Sequence, residues 1–90
     1  MFYNYVIQSL KNNKFIYKGS TTDLKKRFSQ HNKGQVKSTR KNKPYKLIYY
    51  EACLNKDDAY RRERTLKSGP GRKWTKQRLK EYFKNQNKKI

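Results

Sequence analysis

Tyr17, Arg27, His31 and Glu63 have the types and spacing for phosphate chemistry. Arg27 and His31 fall on the stripe Leu24, Arg27, Phe28, His31, the i, i+3, i+4, i+7 face of a helix. Leu24 and Phe28 belong in a core, and a charge beside them is costly unless something uses it. Tyr17 precedes that helix by a short glycine turn, so one turn gathers a phenol, a guanidinium and an imidazole. A guanidinium clamps phosphate through its planar fork and stabilises charge that develops in the transition state. An imidazole acts as general base or orients one. A solvated arginine and a structural histidine would give the same pattern, and the residues alone leave both readings open.

Glu63 is the most informative acid. It shares a stripe with Ala59, Arg62 and Leu66, so it faces inward or lines a cleft. Asp23, Asp57 and Asp58 are explained as helix-start residues. Two-metal hydrolysis needs several convergent carboxylates, and no convincing set is present. One hard cation held by a single glutamate, waters and phosphate oxygens is feasible. An ion pair of Glu63 with Arg62, or with Lys67 at i+4, is the competing reading. Tyr5 and Tyr17 lie on adjacent strands of an expected hairpin. A phenol titrates near pH 10, so about 0.1% is ionised at neutral pH. It becomes a base only beside positive charge, which Arg27, Lys18 or a metal would supply. With eight tyrosines in the chain, a purely structural role for both is the alternative.

The elements that must position these groups follow from pattern and punctuation. Residues 2–9 are rich in β-formers and read as a strand. Residues 10–14 are polar and suit a hairpin loop. A second strand over 15–19 leaves through Gly19, and Thr21 or Thr22 caps a helix over about 22–33, with Gly34 at its C′ position. Residues 33–43 form a basic segment, either a short helix or a loop, ended by Pro44. Residues 45–53 make the strongest strand, either central or closing. Asn55 caps the next helix, which Gly69 and Pro70 stop. A last helix spans about 72–84. Residues 85–90 are expected to fray. The order β-β-α-(α/loop)-β-α-α predicts an α+β domain over 1–84, a three-stranded, mostly antiparallel sheet flanked by helices.

Composition narrows the partners. Twenty-five Lys and Arg oppose six Asp and Glu, a net charge of +19. A small domain this basic usually meets a polyanion, and nucleic acid is the default; a lysine-rich proteome would also raise the charge. No basic amphipathic anchor with a clean apolar face suggests a membrane. Cys53 is the single cysteine, which rules out an internal disulfide and a cysteine zinc site. Its apolar run predicts a core thiol. Neither a signal peptide nor a membrane span is evident, so a cytoplasmic location is expected.

The pattern as a whole resembles the GIY-YIG nuclease family, in particular its small single-domain bacterial members. Asn4-Tyr5-Val6-Ile7 looks like the first motif and Tyr17-Lys18-Gly19-Ser20 like the second. Arg27 and His31 match the family's helix positions, residues 44–50 its third strand, and residues 59–69 the helix that carries its glutamate, at Glu63. The match covers about residues 2–75. The first motif lacks its glycine and isoleucine, Lys18 stands where an apolar residue is usual, and the family's late asparagine ligand has no counterpart. Lys18 should point away from Tyr17's face and must reach solvent or a partner there.

The resemblance implies DNA phosphodiester hydrolysis with one Mg²⁺ or Mn²⁺ held by Glu63. It implies that Tyr17 helps deprotonate the attacking water, with Tyr5 positioning it or assisting. Arg27 would steady the phosphate, and His31 would tune the tyrosines or contact phosphate. Lys37, Arg40 and Lys41, with Arg62, Lys67, Arg72 and Lys73, would hold the nucleic-acid backbone. Backbone contacts carry no sequence information, so weak sequence preference or recognition of a DNA shape is expected, with a recruiting protein as a possible partner. A non-catalytic binding module and an RNA-associated basic protein are the alternatives.

Overall fold

The computed structural model describes residues 1–86. Its sheet has the order β2-β1-β3, with β1 (Phe2–Ser9) central and antiparallel to both β2 (Ile16–Thr21) and β3 (Tyr45–Cys53). β3 therefore closes one edge. Strict alternation along β1 sends Tyr5 and Ile7 to one face and Asn4, Val6 and Gln8 to the other. All five are buried. A bulge in β3 opposite Val6 and Ile7 shifts the register, so that Tyr49 pairs with Val6 and Leu47 with Ile7.

Helix α1 (Leu24–Asn32) covers the first face. There Tyr5, Ile7 and Tyr45 pack with Phe15, Tyr17, Leu24, Phe28 and Leu47. The second face is covered by α2 (Lys56–Lys67), α3 (Gly69–Arg78) and α4 (Lys80–Gln86). Ala59, Leu66 and Thr75 are buried there, and Trp74 meets Tyr49 edge-on at 5.7 Å. The expected α+β architecture is the one observed, with α1 on one side of the sheet and α2, α3 and α4 on the other.

Several local expectations are corrected. β2 runs through Gly19 to Thr21, so Gly19 is a strand residue and not the turn. Asp23, not Thr21 or Thr22, caps α1, accepting from Lys26 N at 3.0 Å. Gly34 does take the left-handed conformation, φ 75°, that a C′ position requires. Residues 33–43 hold one 3₁₀ turn, Arg40–Asn42. Gly69-Pro70 opens α3 instead of merely stopping α2. Ser68 ends α2, and its hydroxyl accepts from Gly71 N at 3.2 Å to start α3; proline fits the first turn because no N–H partner exists there. The expected last helix is broken at Leu79 into α3 and α4. Cys53 is half-buried at a strand end, not a core thiol. Of the expected frayed tail over 85–90, Asn85 and Gln86 belong to α4, and Gln86 Nε2 donates to Gln8 Oε1 at 3.0 Å. The remainder of that tail lies outside the described residues.

Candidate active site

Tyr5 and Gly19 face each other across β1 and β2. A Cβ on Gly19 would lie 2.5 Å from Tyr5 Oη and 2.7 Å from Cζ. The missing side chain is what lets the Tyr5 ring lie across the edge strand. The Tyr5 hydroxyl and His31 Nε2 share a hydrogen bond of 2.7 Å, and His31 Nδ1 is 2.7 Å from Thr39 Oγ1. Tyr45 Oη donates to Thr39 O at 2.8 Å, which ties the basic segment to the core. Tyr5, His31, Thr39 and Tyr45 are all buried. The result is a closed polar chain inside an aromatic shell. The His31 ring lies 5.6 Å from Tyr5, 5.2 Å from Tyr17 and 6.1 Å from Tyr45, centroid to centroid.

Burial, helped by the Arg27 charge, lowers His31 to about 4. The imidazole is therefore neutral at pH 7, with one nitrogen donating and the other accepting. Burial raises the Tyr5 phenol above its usual value; Tyr17 and the Glu63 charge push the same way, while the Arg27 guanidinium beside it opposes them. Tyr5 is thus a neutral phenol held in place. Arg27 is half-buried, and its Nη1 donates to Gln30 Oε1 at 3.2 Å.

Glu63 approaches from the other side of the sheet. Ser20 Oγ, next to Gly19, lies 3.0 Å from Glu63 Oε1 and 2.6 Å from Asn4 Oδ1, its one proton shared between the two oxygens. Lys67 Nζ lies 3.0 Å from Glu63 Oε2 and 5.5 Å from the centroid of the Tyr17 ring. Because β2 is an edge strand, groups from both faces meet beside it. Tyr17 comes from the α1 face, and Glu63 and Lys67 come from α2. Glu63 is half-buried and ion-paired, with Lys67 and not with Arg62. Lys18 shares the face of Val6, opposite to Tyr17. It stays partly exposed and donates to Leu66 O at 2.7 Å. That oxygen is one of the unpaired carbonyls at the end of α2, where a cation is favoured. Burial, then Arg72, pulls Lys18 below the ordinary lysine value.

A groove of about 390 Å³ runs along this edge, lined by Tyr17, Lys14, Lys18, Lys67, Arg72 and Lys76 among others. It brings together two of the expected backbone cations, Lys67 and Arg72. Arg62 is placed elsewhere. Its guanidinium grips Glu51 at 2.8 and 3.2 Å and stacks on Trp74 at 4.3 Å. Lys73 is exposed on α3, and Lys37, Arg40 and Lys41 are exposed in the segment between α1 and β3.

A donor set of one carboxylate suits a cation that keeps most of its waters and takes phosphate oxygens, as Mg²⁺ does. Among the described residues no group of three or more His, Cys, Asp or Glu side chains converges, which does not suit a cation caged by protein alone. Thr39 and Ser20, which hold His31 and Glu63, were missed in the sequence. Thr39 sits in a stretch without periodicity. Ser20 was lost by ending the strand at Gly19; alternation with Lys18 is the signal that finds it. No helix among the described residues is long and apolar enough to cross a membrane.

Residues 1–75 match the model of the GIY-YIG catalytic domain. Three UPF0213 proteins of Streptococcus pyogenes, from serotypes M3, M1 and M4, are each 42% identical over 66 residues. These matches cover 72% of this chain and 70% of theirs. No solved structure matches the chain.

Proposed function

The chain belongs to the GIY-YIG family, whose catalytic domain is a nuclease domain, and on that premise we propose that it is an endonuclease that hydrolyses DNA phosphodiesters with one Mg²⁺ or Mn²⁺. The observation that carries this reading is the meeting of Tyr17, Glu63 and Lys67 beside the basic groove. Pure binding would use the lysines of that groove and would need neither a carboxylate nor a buried Tyr5–His31–Thr39 chain.

On this reading the tyrosines divide the work. Tyr17 is half-buried and lines the groove, so it can meet the attacking water and, as the phenolate after giving its own proton to solvent, take the proton of that water. The buried Tyr5, fixed by His31, stays protonated and positions that water. Arg27 steadies the phosphate and the charge that grows on its oxygens. Glu63 holds the cation, and Ser20 fixes one of its oxygens. When bound, the cation polarises the phosphate and stabilises the developing charge. Lys37, Arg40, Lys41, Arg72 and Lys73 hold the backbone, which gives little sequence preference. On this reading the domain works in a cytoplasmic setting and is delivered to its DNA by a recruiting protein.

The test is cleavage of supercoiled, nicked, flap and branched DNA in Mg²⁺, Mn²⁺ or EDTA, with Glu63→Ala alongside the parent. Metal-dependent cutting, reduced at least about a hundredfold in Glu63→Ala, is the expected result. A parent that binds every DNA and cuts none, or a Glu63→Ala protein that cuts as well as the parent, would leave a nucleic-acid binding module.

A further inference from the structure

Lys67 serves two partners at once. Its ammonium sits on Glu63 Oε2 at 3.0 Å, and the same side chain lines the groove with Lys14, Lys18, Arg72 and Lys76. The other oxygen of Glu63 already accepts from Ser20. Both carboxylate oxygens are therefore engaged, one by a full positive charge. A magnesium ion stands about 2.1 Å from a carboxylate ligand. With the ammonium still in place, two positive charges share one carboxylate and repel each other, so the ion binds more tightly once the ammonium has left.

The ammonium is the group free to move. The Lys67 side chain is 48% exposed, its stem is long and flexible, and an ion pair of this exposure is weak. The groove offers it somewhere to go once filled. Among the described residues no acid lines the groove, so its cations repel one another until an anion enters. A phosphate among Lys18, Arg72 and Lys76 gives Lys67 a charged acceptor on the side away from Glu63.

We propose that Lys67 is a placeholder on Glu63, and that nucleic-acid phosphates entering the groove draw it away, so that nucleic acid and the divalent cation bind cooperatively. The proposal rests on the reading of Glu63 as the metal ligand. Coupling of this kind is reciprocal: the cation must tighten nucleic acid by the same factor.

The test measures Mn²⁺ affinity from the resonance signal of the free ion, with and without a DNA duplex. The signal of DNA alone is subtracted, and the strands are checked to be intact on a gel. Parent, Lys67→Met, Lys67→Arg and Glu63→Gln are compared at fixed ionic strength. Without DNA, Lys67→Met should bind Mn²⁺ about 1.5- to fivefold more tightly than the parent, the range for a partly exposed ion pair. The tightening caused by DNA should be larger in the parent by the same factor, and Lys67→Arg should follow the parent. Equal affinities in parent and Lys67→Met, or equal tightening by DNA, overturn the proposal while leaving the metal assignment standing if Glu63→Gln loses the site. A Glu63→Gln protein that binds Mn²⁺ as well as the parent removes the metal assignment and the proposal together.

Discussion

The two faces of one sheet are stabilised in different ways. On the α1 face, Tyr5, Ile7 and Tyr45 are packed under Leu24 and Phe28, and the buried polar groups Tyr5, His31, Thr39 and Tyr45 are closed on one another, with Arg27 as the one charge beside them. On the α2–α4 face, the same strands carry Gln8, Lys18 and Glu51, tied to the helices by charged or amide contacts, and Asn4, held by Ser20 of β2. Alternation along three strands makes this possible, because neighbouring residues never share an environment. The buried face fixes geometry. The charged face tolerates exchange of partners, which binding a polyanion requires.

Salt should separate the faces most strongly. If five phosphates contact the groove and the basic segment, DNA affinity falls about 500-fold between 50 and 200 mM salt. Melting temperature should not fall over the same range, because the aromatic face feels no screening and salt damps the mutual repulsion of a chain at +19. A titration of binding and a thermal scan, run in parallel, check both halves. A melting temperature that fell steeply with salt would mean that the charged face holds the fold.

Acid should act on the other face. His31 is neutral in the fold, lowered to about 4, while an unfolded histidine titrates near 6.5. Between these values the unfolded chain binds more protons, so stability is complete above about pH 6.5 and declines as pH falls toward 4. The loss reaches at most about 3 kcal/mol. Urea unfolding of the parent and of His31→Gln across this window is the measurement; the slope assigned to His31 should vanish in the variant.

Gly19→Ala tests how closely the buried face is packed. Its Cβ would press on the Tyr5 hydroxyl and ring. A cost of about 1–3 kcal/mol is expected for overpacking of this kind, with turnover lost as the Tyr5–His31 bond is displaced. Unfolding and cleavage rates measured together decide it, and an alanine protein with full stability and full activity would show that the Tyr5 ring can shift freely. The smallest effect belongs to Arg62→Met. The guanidinium is partly exposed between Glu51 and Trp74, so its removal should cost about 1 kcal/mol or less. Denaturant midpoints of parent and variant measure it.

What could be read from the sequence follows the range of the forces. β1 and β3 lie where alternation and β-formers put them, 2–9 and 45–53, because each carries its pattern within itself. Asn55 caps α2 as expected, its side chain accepting from Asp57 N and Asp58 N. The stripe Leu24, Arg27, Phe28, His31 does face the sheet. The misreadings occur where a residue answers to something far along the chain. Gly19 is a glycine because of Tyr5, fourteen residues earlier in a different strand. Gly69-Pro70 carries both a stop and a start signal, and only the packing of α3 on α2 selects the start; a Cβ on Gly71 would meet the backbone of Thr65 and Leu66. Thr39 holds His31 from a segment whose charges gave no sign of a buried position. Glu63 is half-buried on its helix stripe, and of its two candidate partners the structure selects Lys67, which α2 turns toward β2.

Lys18 has a further effect on how the molecule behaves in a crowd of its own kind. β2 is an outer strand, and an outer strand offers unpaired backbone groups to any other chain that comes alongside. Ile16 and Tyr17 are the sort of residues that invite such a strand. An inward-turned lysine, anchored on Leu66 O, interrupts the apolar run with a charge that no added strand could cover cheaply. The same ammonium that finishes a helix therefore also keeps this edge from templating aggregation.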